Sequence, residues 1–454
     1  MYRCIHKYLL AWKGRTPHLP LILRGARQVG KTWALKEFGN QCFARTAYVD
    51  LQEDPRAAGC FEAQKVSDIV TALEAFTGVR IVAGETLLIL DEVQDHPRVL
   101  ERLRYFAEQF AELHVIVTGS SLDPALCNAR LPMPVGRVEY LHMGPLSFAE
   151  AVAATRPELA AALAAFSIAT PPLAPVHDLL MEALRCHALV GGMPAVVNTW
   201  RDSRSLVEAL RVQRALLTSY RDDLSKYARR SELPLLGRVL DAVPRLIGTK
   251  AVLSRIAEEA KAASVRAAID LLALGGIIHC VHASAGNGLP LEAEADDRTF
   301  KILLNDVGLI AAGSDLAAAR SQPQDFSLVN EGPLAEALAG QELRAIVSAD
   351  LPPRLHYWVR EGRTANAEVD YLIALCGQVL PVECKAGSSG SLKSLHQFMA
   401  AKHRPLAVRV AARPLAIEDI ATRTPDGKDA RYRLLTVPPY AIGRLPDLVA
   451  EAGV

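Results

Sequence analysis

The sequence predicts an α/β chain: a doubly wound parallel sheet, then a helical region, then a smaller mixed α/β unit. Three observations carry this prediction. Apolar runs short enough to be buried strands alternate with helical periodicity up to residue 147, the pattern of a parallel sheet covered on both faces. Residues 148–230 read almost entirely as helix. Residues 231–298 and 299–454 then switch to short helices mixed with strands. A length of 454 residues is enough for several cores, and 50% apolar with 22% charged residues excludes a largely disordered chain.

The elements follow in order. LPLILRG (Leu19–Gly25), TAYVDL (Thr46–Leu51), TLLILDE (Thr86–Glu92) and HVIVTGS (His114–Ser120) are the buried-strand runs, with helical patterns at Lys31–Phe38 and Arg98–Phe110 between them. Pro145 punctuates the end of this unit. The Ala-rich stretch Phe148–Ala165 is interrupted by Glu150, Arg156 and Glu158, so it predicts a helix in water rather than a membrane span. Helical pattern continues to Tyr227, broken by TPPLAP and GGMP, as a lid or linker. VLSRIAEEA predicts one further helix, and Ser264 is a plausible N-cap for the next. Val265, Ala268, Ile269 and Leu272 make that helix's apolar stripe, Gly275-Gly276 ends it, and IIHCVHA is a strand. That order resembles a winged helix-turn-helix.

GARQVGKT, Gly25 to Thr32, has the G-x-x-x-x-G-K-[ST] spacing between a strand and a helix. Gly25 and Gly30 let the backbone of Ala26, Arg27, Gln28 and Val29 curl so that N–H groups face phosphates. The helix starting near Lys31 adds its positive dipole end. Lys31 would reach the β- and γ-phosphates of ATP, and the Thr32 hydroxyl would ligate Mg²⁺. TLLILDEVQ delivers Asp91 and Glu92 at a strand's C-terminal end, where open α/β sheets bind ligands. Asp91 would hold Mg²⁺ through water, and Glu92 would polarise the attacking water. Thr118 in VIVTGSS either senses the γ-phosphate or merely turns the chain with Ser120 and Ser121. Arg137 in VGRVEY is a candidate for the arginine that neutralises transition-state charge, in cis or from a neighbouring subunit of a ring; otherwise it is a salt-bridged surface residue.

With GRVEYLHMGPLSFAE, GGMPAVV (Gly191–Val197) and YRDDLSKY (Tyr220–Tyr227), these motifs resemble the bacterial and archaeal AAA-type ATPases that carry a C-terminal domain of unknown function. The resemblance spans nearly the whole chain. It implies a P-loop NTPase (AAA-like) domain at 1–147, a helical lid at 148–230, a winged helix at 231–298 and a restriction-endonuclease-like domain at 299–454.

Near the C-terminal end, VDYLIAL and QVLPVECK read as two strands of a hairpin turning at Cys376-Gly377 or Gly377-Gln378. The first turn sets Asp370 opposite Glu383; the second sets it opposite Lys385. Both put Asp370, Glu383 and Lys385 on one face. Two carboxylates and a lysine are what a Mg²⁺- or Mn²⁺-dependent phosphodiesterase uses, and D…E-x-K is similar to the nuclease superfamily named for it. Glu336 matches the helix glutamate such enzymes add, and Glu368 lies on the same face. The competing reading is an exposed hairpin with cross-strand ion pairs.

Lys+Arg 51 against Asp+Glu 50 gives no global sign of nucleic-acid binding. Residues 204–261 are locally basic, with twelve Lys and Arg against seven Asp and Glu, which would suit phosphate contacts or simply a solvated helical face. Only Arg266 gives the winged-helix recognition segment a cation. Eight cysteines without C-x-x-C spacing, no secretory pattern at MYRCIHKYLLAWKGR and no spanning apolar run predict a cytoplasmic protein with no membrane partner. The leading expectation is an ATP-hydrolysing protein acting on DNA. The alternative is a nucleotide-dependent switch or scaffold that binds a protein partner through an inert nuclease fold.

Overall fold

The computed structural model describes residues 1–119, 136–226, 228–314, 332–361, 366–385 and 391–453. Ser120, Ser121 and Tyr227 lie outside them. In the first unit, strands β1 (Leu21–Arg24), β2 (Arg45–Asp50), β3 (Thr86–Asp91), β4 (His114–Thr118) and β5 (Glu139–His142) form one parallel sheet in the order β2-β3-β4-β1-β5. Every residue of β3 and β4 is buried, which is why their sequences are apolar without alternation. Edge strand β5 is short and half-buried, so it left no apolar run to read. Helices Lys31–Cys42, Val66–Thr77 and Pro97–Gln109 cover the sheet. The amino-terminal helix Ile5–Lys13 packs Ile5, Leu9 and Trp12 into the same core.

Five helices follow: Phe148–Thr155, Pro157–Ala165, Ala174–Val190, Pro194–Ser203 and Leu206–Asp223. The Ala-rich stretch is two helices, because Arg156 leaves helical geometry before Pro157 starts the next. The phrases GPLSF and GGMP meet here. Leu146 N–H donates to the Gly192 carbonyl at 2.7 Å, and Gly192 N–H donates to Asp306 Oδ2 at 2.6 Å. A Cβ on Gly192 would overlap the Leu146 carbonyl oxygen, and one on Gly191 (φ 76°) would overlap Asp306 Oδ1. No side chain fits at either position.

The segment expected to form a winged helix holds helices Leu233–Ala242, Leu253–Ile256 and Ala262–Leu274. The expected helix over VLSRIAEEA lasts only four residues, since Ala257 turns extended and is buried with Ile256. The third helix begins at Ala262, so Ser264 lies inside its first turn and is not the cap. Val265, Ala268, Ile269 and Leu272 are its buried stripe.

Eight strands make the second sheet: β6 (Ile278–Ser284), β7 (Ala295–Leu304), β8 (His356–Arg360), β9 (Ala367–Leu375), β10 (Gln378–Lys385), β11 (Leu406–Ala411), β12 (Ala416–Arg423) and β13 (Asp429–Val437). Their order is β12-β13-β11-β10-β9-β8-β6-β7. The hairpin β6–β7 is thus the end of the C-terminal sheet, joined in parallel through His282 with His356 and Ala283 with Tyr357. A boundary at 298/299 would cut through β7. One hydrophobic core runs without interruption from Ile5 through the helical region to Ala452, and each sheet has a smaller core on its other face. Among the described residues no helix is long and apolar enough to cross a membrane.

Candidate functional site

The loop leaving β1 is shaped by its glycines. Gly25 (φ 151°) stands where a Cβ would overlap the Met143 carbonyl oxygen just past β5, and Gly30 (φ 93°) enters the helix in the left-handed region. Lys31 is only 7% exposed. Its Nζ donates to the Gly25 and Ala26 carbonyls at 2.8 and 2.9 Å, holding the ammonium within the curl. Thr32 Oγ1 donates to Asp91 Oδ2 at 2.6 Å. Burial at the end of β3 raises the Asp91 pKa, against which the Thr32 hydrogen bond works. These hard oxygens, a hydroxyl touching a carboxylate at the mouth of a phosphate loop, fit Mg²⁺ chemically.

Glu92 follows at φ 54°, a conformation uncommon for a side-chain-bearing residue and often found at functional turns. Its N–H donates to Asp91 Oδ1, and its Oε2 accepts from Gln94 Nε2 at 2.7 Å. Gln94 also abuts Gly119, where a Cβ would overlap its Oε1. Gln94 therefore links the acidic strand end to the end of β4, a role the sequence reading missed. Tyr48 was missed too. Its hydroxyl is 3.2 Å from both Asp50 Oδ2 and Asp91 Oδ2, because Asp50 and Asp91 are register partners on adjacent strands.

Two expected residues are placed differently. Thr118 is fully buried and its hydroxyl donates to the Leu23 carbonyl at 3.0 Å, bracing β4 on β1 rather than facing the loop. Arg137 precedes β5 at the N-terminal edge of the sheet, opposite the phosphate loop, and its Nε donates to Glu108 at 3.0 Å. Five residue steps of extended chain separate it from His142, the partner of Arg24, a span of roughly 16 Å. It cannot complete the site of its own chain.

The outer face of the loop is gripped by the helical region. Arg27 pairs with Asp223, Tyr220 Oη donates to the Arg27 carbonyl at 3.0 Å, and Gln28 Nε2 lies 3.3 Å from Ser219 Oγ.

Residues 17–152 match the AAA domain, residues 181–320 a domain of unknown function (DUF8612), and residues 331–425 another (DUF4143). With the loop, strand order and acidic strand end already in place, these matches decide the assignment. The chain carries an AAA-type P-loop ATPase domain followed by C-terminal domains of unknown function. Among solved structures it is similar to the Walker-type ATPase PABY2304 of Pyrococcus abyssi, at 16% identity and a TM-score of 0.43, covering 68% of this chain and 94% of that one. It is also similar to the ORC1 protein of Aeropyrum pernix in complex with DNA, at 16% identity and a TM-score of 0.27, covering 70% and 92%. A third similar structure is the Holliday junction branch migration motor RuvB of Thermotoga maritima, at 17% identity and a TM-score of 0.25, covering 60% and 85%. No curated protein matches the chain.

The ATPase's second cluster lies on β7, β9, β10 and helix Gly332–Ile346. The hairpin turns at Cys376 (φ 49°) and Gly377 (φ 74°), both left-handed as a two-residue loop requires. The ladder runs from Gln378 with Leu375 to Val382 with Tyr371, the register of the first of the two expected turns. Asp370 Oδ2 accepts from Cys384 N–H at 2.7 Å, and Lys385 Nζ lies 2.6 Å from Glu383 Oε1. The unforeseen member is Lys301 of β7, fully buried, whose Nζ bridges Glu336 Oε1 at 2.8 Å and Glu368 Oε1 at 2.5 Å. Burial raises the pKa of Glu336, Asp370 and Glu383 alike. Among the described residues no group of three or more His, Cys, Asp or Glu is placed to hold a metal ion. Lysines engage three of the carboxylates and a backbone N–H the fourth, while Glu383 Oε2 has no partner.

Part of the basic stretch is paired. Arg211 meets Glu208, Arg221 meets Asp241, Lys226 meets Asp223 and Arg238 meets Glu259. Arg266 turns back onto its own unit, pairing with Asp270 and lying over the Phe300 ring.

Proposed function

We propose that this ATPase binds Mg²⁺-ATP in Gly25–Thr32 and hydrolyses it, and that the nucleotide state is passed to the helical region as a switch. Thr32 and Asp91 would hold the metal, which supplies neutralisation of phosphate charge. Glu92 would take a proton from the attacking water while the water oxygen bonds to the γ-phosphorus and the bond to the β,γ-bridging oxygen breaks. Gln94 would fix the orientation of Glu92. The observation that carries the switch is the grip of Tyr220 and Asp223 on Arg27. A loop that closes on phosphates moves Arg27, and helix Leu206–Asp223 must follow or let go. The C-terminal unit, with three of its four clustered carboxylates engaged by Lys301 and Lys385, would serve as a partner-binding scaffold.

The reading in which the chain acts on DNA is favoured by one observation, the local excess of cations between Arg204 and Lys261. Steady-state ATP turnover with and without single-stranded, duplex and branched DNA separates the two. Turnover indifferent to all three supports the switch; stimulation supports the DNA reading. Absence of Mg²⁺-dependent turnover under every condition overturns both. Arg137 would act in trans in an ATP-induced ring.

A further inference from the structure

A cavity of about 810 Å³ opens where the AAA domain, the winged helix and the C-terminal sheet meet. Its wall includes Ala26 of the phosphate loop, Gly276, His279, Asn305, Gln341 and Arg344. Arg344 is 8% exposed, yet no carboxylate of the described residues lies within ion-pair distance of it. Its Nη2 reaches only the neutral Asn305 Oδ1, at 3.4 Å, and its Nε has no hydrogen-bond partner. Burial pushes the guanidinium down to about 9, with no carboxylate opposing the shift.

The two amides beside it are left with bare donors. Asn305 Oδ1 accepts from His279 Nε2 at 3.0 Å, and Gln341 Oε1 accepts from Val307 N–H at 2.7 Å. That fixes which end of each amide is committed. Asn305 Nδ2 and Gln341 Nε2 have no partner, although the residues are only 2% and 6% exposed. The carboxylates of the wall are engaged elsewhere or stand at the exposed rim. Glu150 is held by Arg3 and Asp270 by Arg266, while Glu292 and Asp297 are exposed. A buried cation without a counter-charge beside unpaired N–H groups is costly, and a bound anion removes the cost.

We propose that this cavity binds a small organic anion whose carboxylate or phosphate oxygens pair with the Arg344 guanidinium, with small side-chain shifts bringing in the unpaired Asn305 Nδ2 and Gln341 Nε2. Its volume suits a metabolite or mononucleotide rather than a bare ion. Ala26 packs on Gly276, where a Cβ would lie 3.3 Å from it, so an occupant would press on the loop that holds ATP.

The test uses the full chain with Lys31→Ala, which removes phosphate binding in the loop. Its melting midpoint is measured at constant ionic strength in chloride, inorganic phosphate, citrate and AMP. We expect at least one of the oxyanions to raise the midpoint above chloride; citrate and AMP distinguish a carboxylate from a phosphate ligand. Adding Arg344→Met or Arg344→Gln should abolish the shift and weaken binding by roughly tenfold or more. In chloride, the Arg344→Met protein should melt no lower than its parent, because an uncompensated charge has gone. No shift over chloride with any of the three, a shift that survives both Arg344 substitutions, or a large fall in midpoint on Arg344→Met in chloride would each overturn the assignment.

Discussion

Lys31 and Glu92 would serve the same phosphate with different work. Lys31→Ala should abolish turnover and weaken nucleotide binding. Glu92→Gln should keep binding and lower kcat by about a hundredfold or more, the scale of general-base catalysis. Equilibrium binding of a fluorescent ATP analogue beside steady-state turnover checks both, and full turnover in Glu92→Gln removes the residue from the mechanism. A second expectation concerns Lys301, buried between Glu336 and Glu368. Lys301→Met should destabilise the chain by about 3–5 kcal/mol in urea titrations, and a compensating Glu336→Met should restore most of it. The pH dependence has a definite sign. A carboxyl whose pKa is raised on folding binds an extra proton in the native state, so its stabilisation is present below the ordinary glutamate value of 4.5 and lost as pH rises through the raised one. The deficit of Lys301→Met should therefore shrink toward acid pH. The loop residues were legible because a phosphate dictates their spacing within eight consecutive positions. Tyr48, Gln94, Lys301 and Arg344 were not, because what gives each its role comes from a strand or helix distant in sequence.

Helices and strands were legible where burial imposes a period. Strands β1 to β4 and the stripe Val265, Ala268, Ile269 and Leu272 were read directly. Short elements were not: β5 has four residues, and the helix expected over VLSRIAEEA stops where tertiary burial of Ala257 outweighs local propensity. The seam between GPLSF and GGMP yields a further prediction. Gly192→Ala must push its Cβ into the Leu146 carbonyl and should cost a few kcal/mol, visible as a lower melting midpoint. A wild-type midpoint would show that the seam opens without penalty. The grip of helix Leu206–Asp223 on the loop gives another. Asp223→Asn removes the ion pair to Arg27 and should change KM for ATP more than kcat, with Asp223→Glu restoring much of the wild-type value. Unchanged kinetics in both would disconnect the helix from the nucleotide site.

At the scale of the whole molecule, Arg137 faces away from its own site, so any role in hydrolysis demands a second subunit. Light scattering of wild type and Arg137→Ala with and without ATP should show nucleotide-driven assembly only in wild type; a monomer with full activity sinks the in-trans role. The continuous sheet β12-β13-β11-β10-β9-β8-β6-β7 makes the hairpin β6–β7 and the C-terminal unit one body. Its consequence reaches back to synthesis on the ribosome. β6 emerges with β7, but its other edge waits for β8, which is made roughly seventy residues later, several seconds at ordinary translation speed. For that interval Ile278, Val281 and Ala283 stand on an open strand edge, the kind of surface to which another chain adds. The nascent chain should therefore need a holding chaperone between the winged helix and β8, and polysomes stalled in that window should aggregate where those stalled after β9 do not.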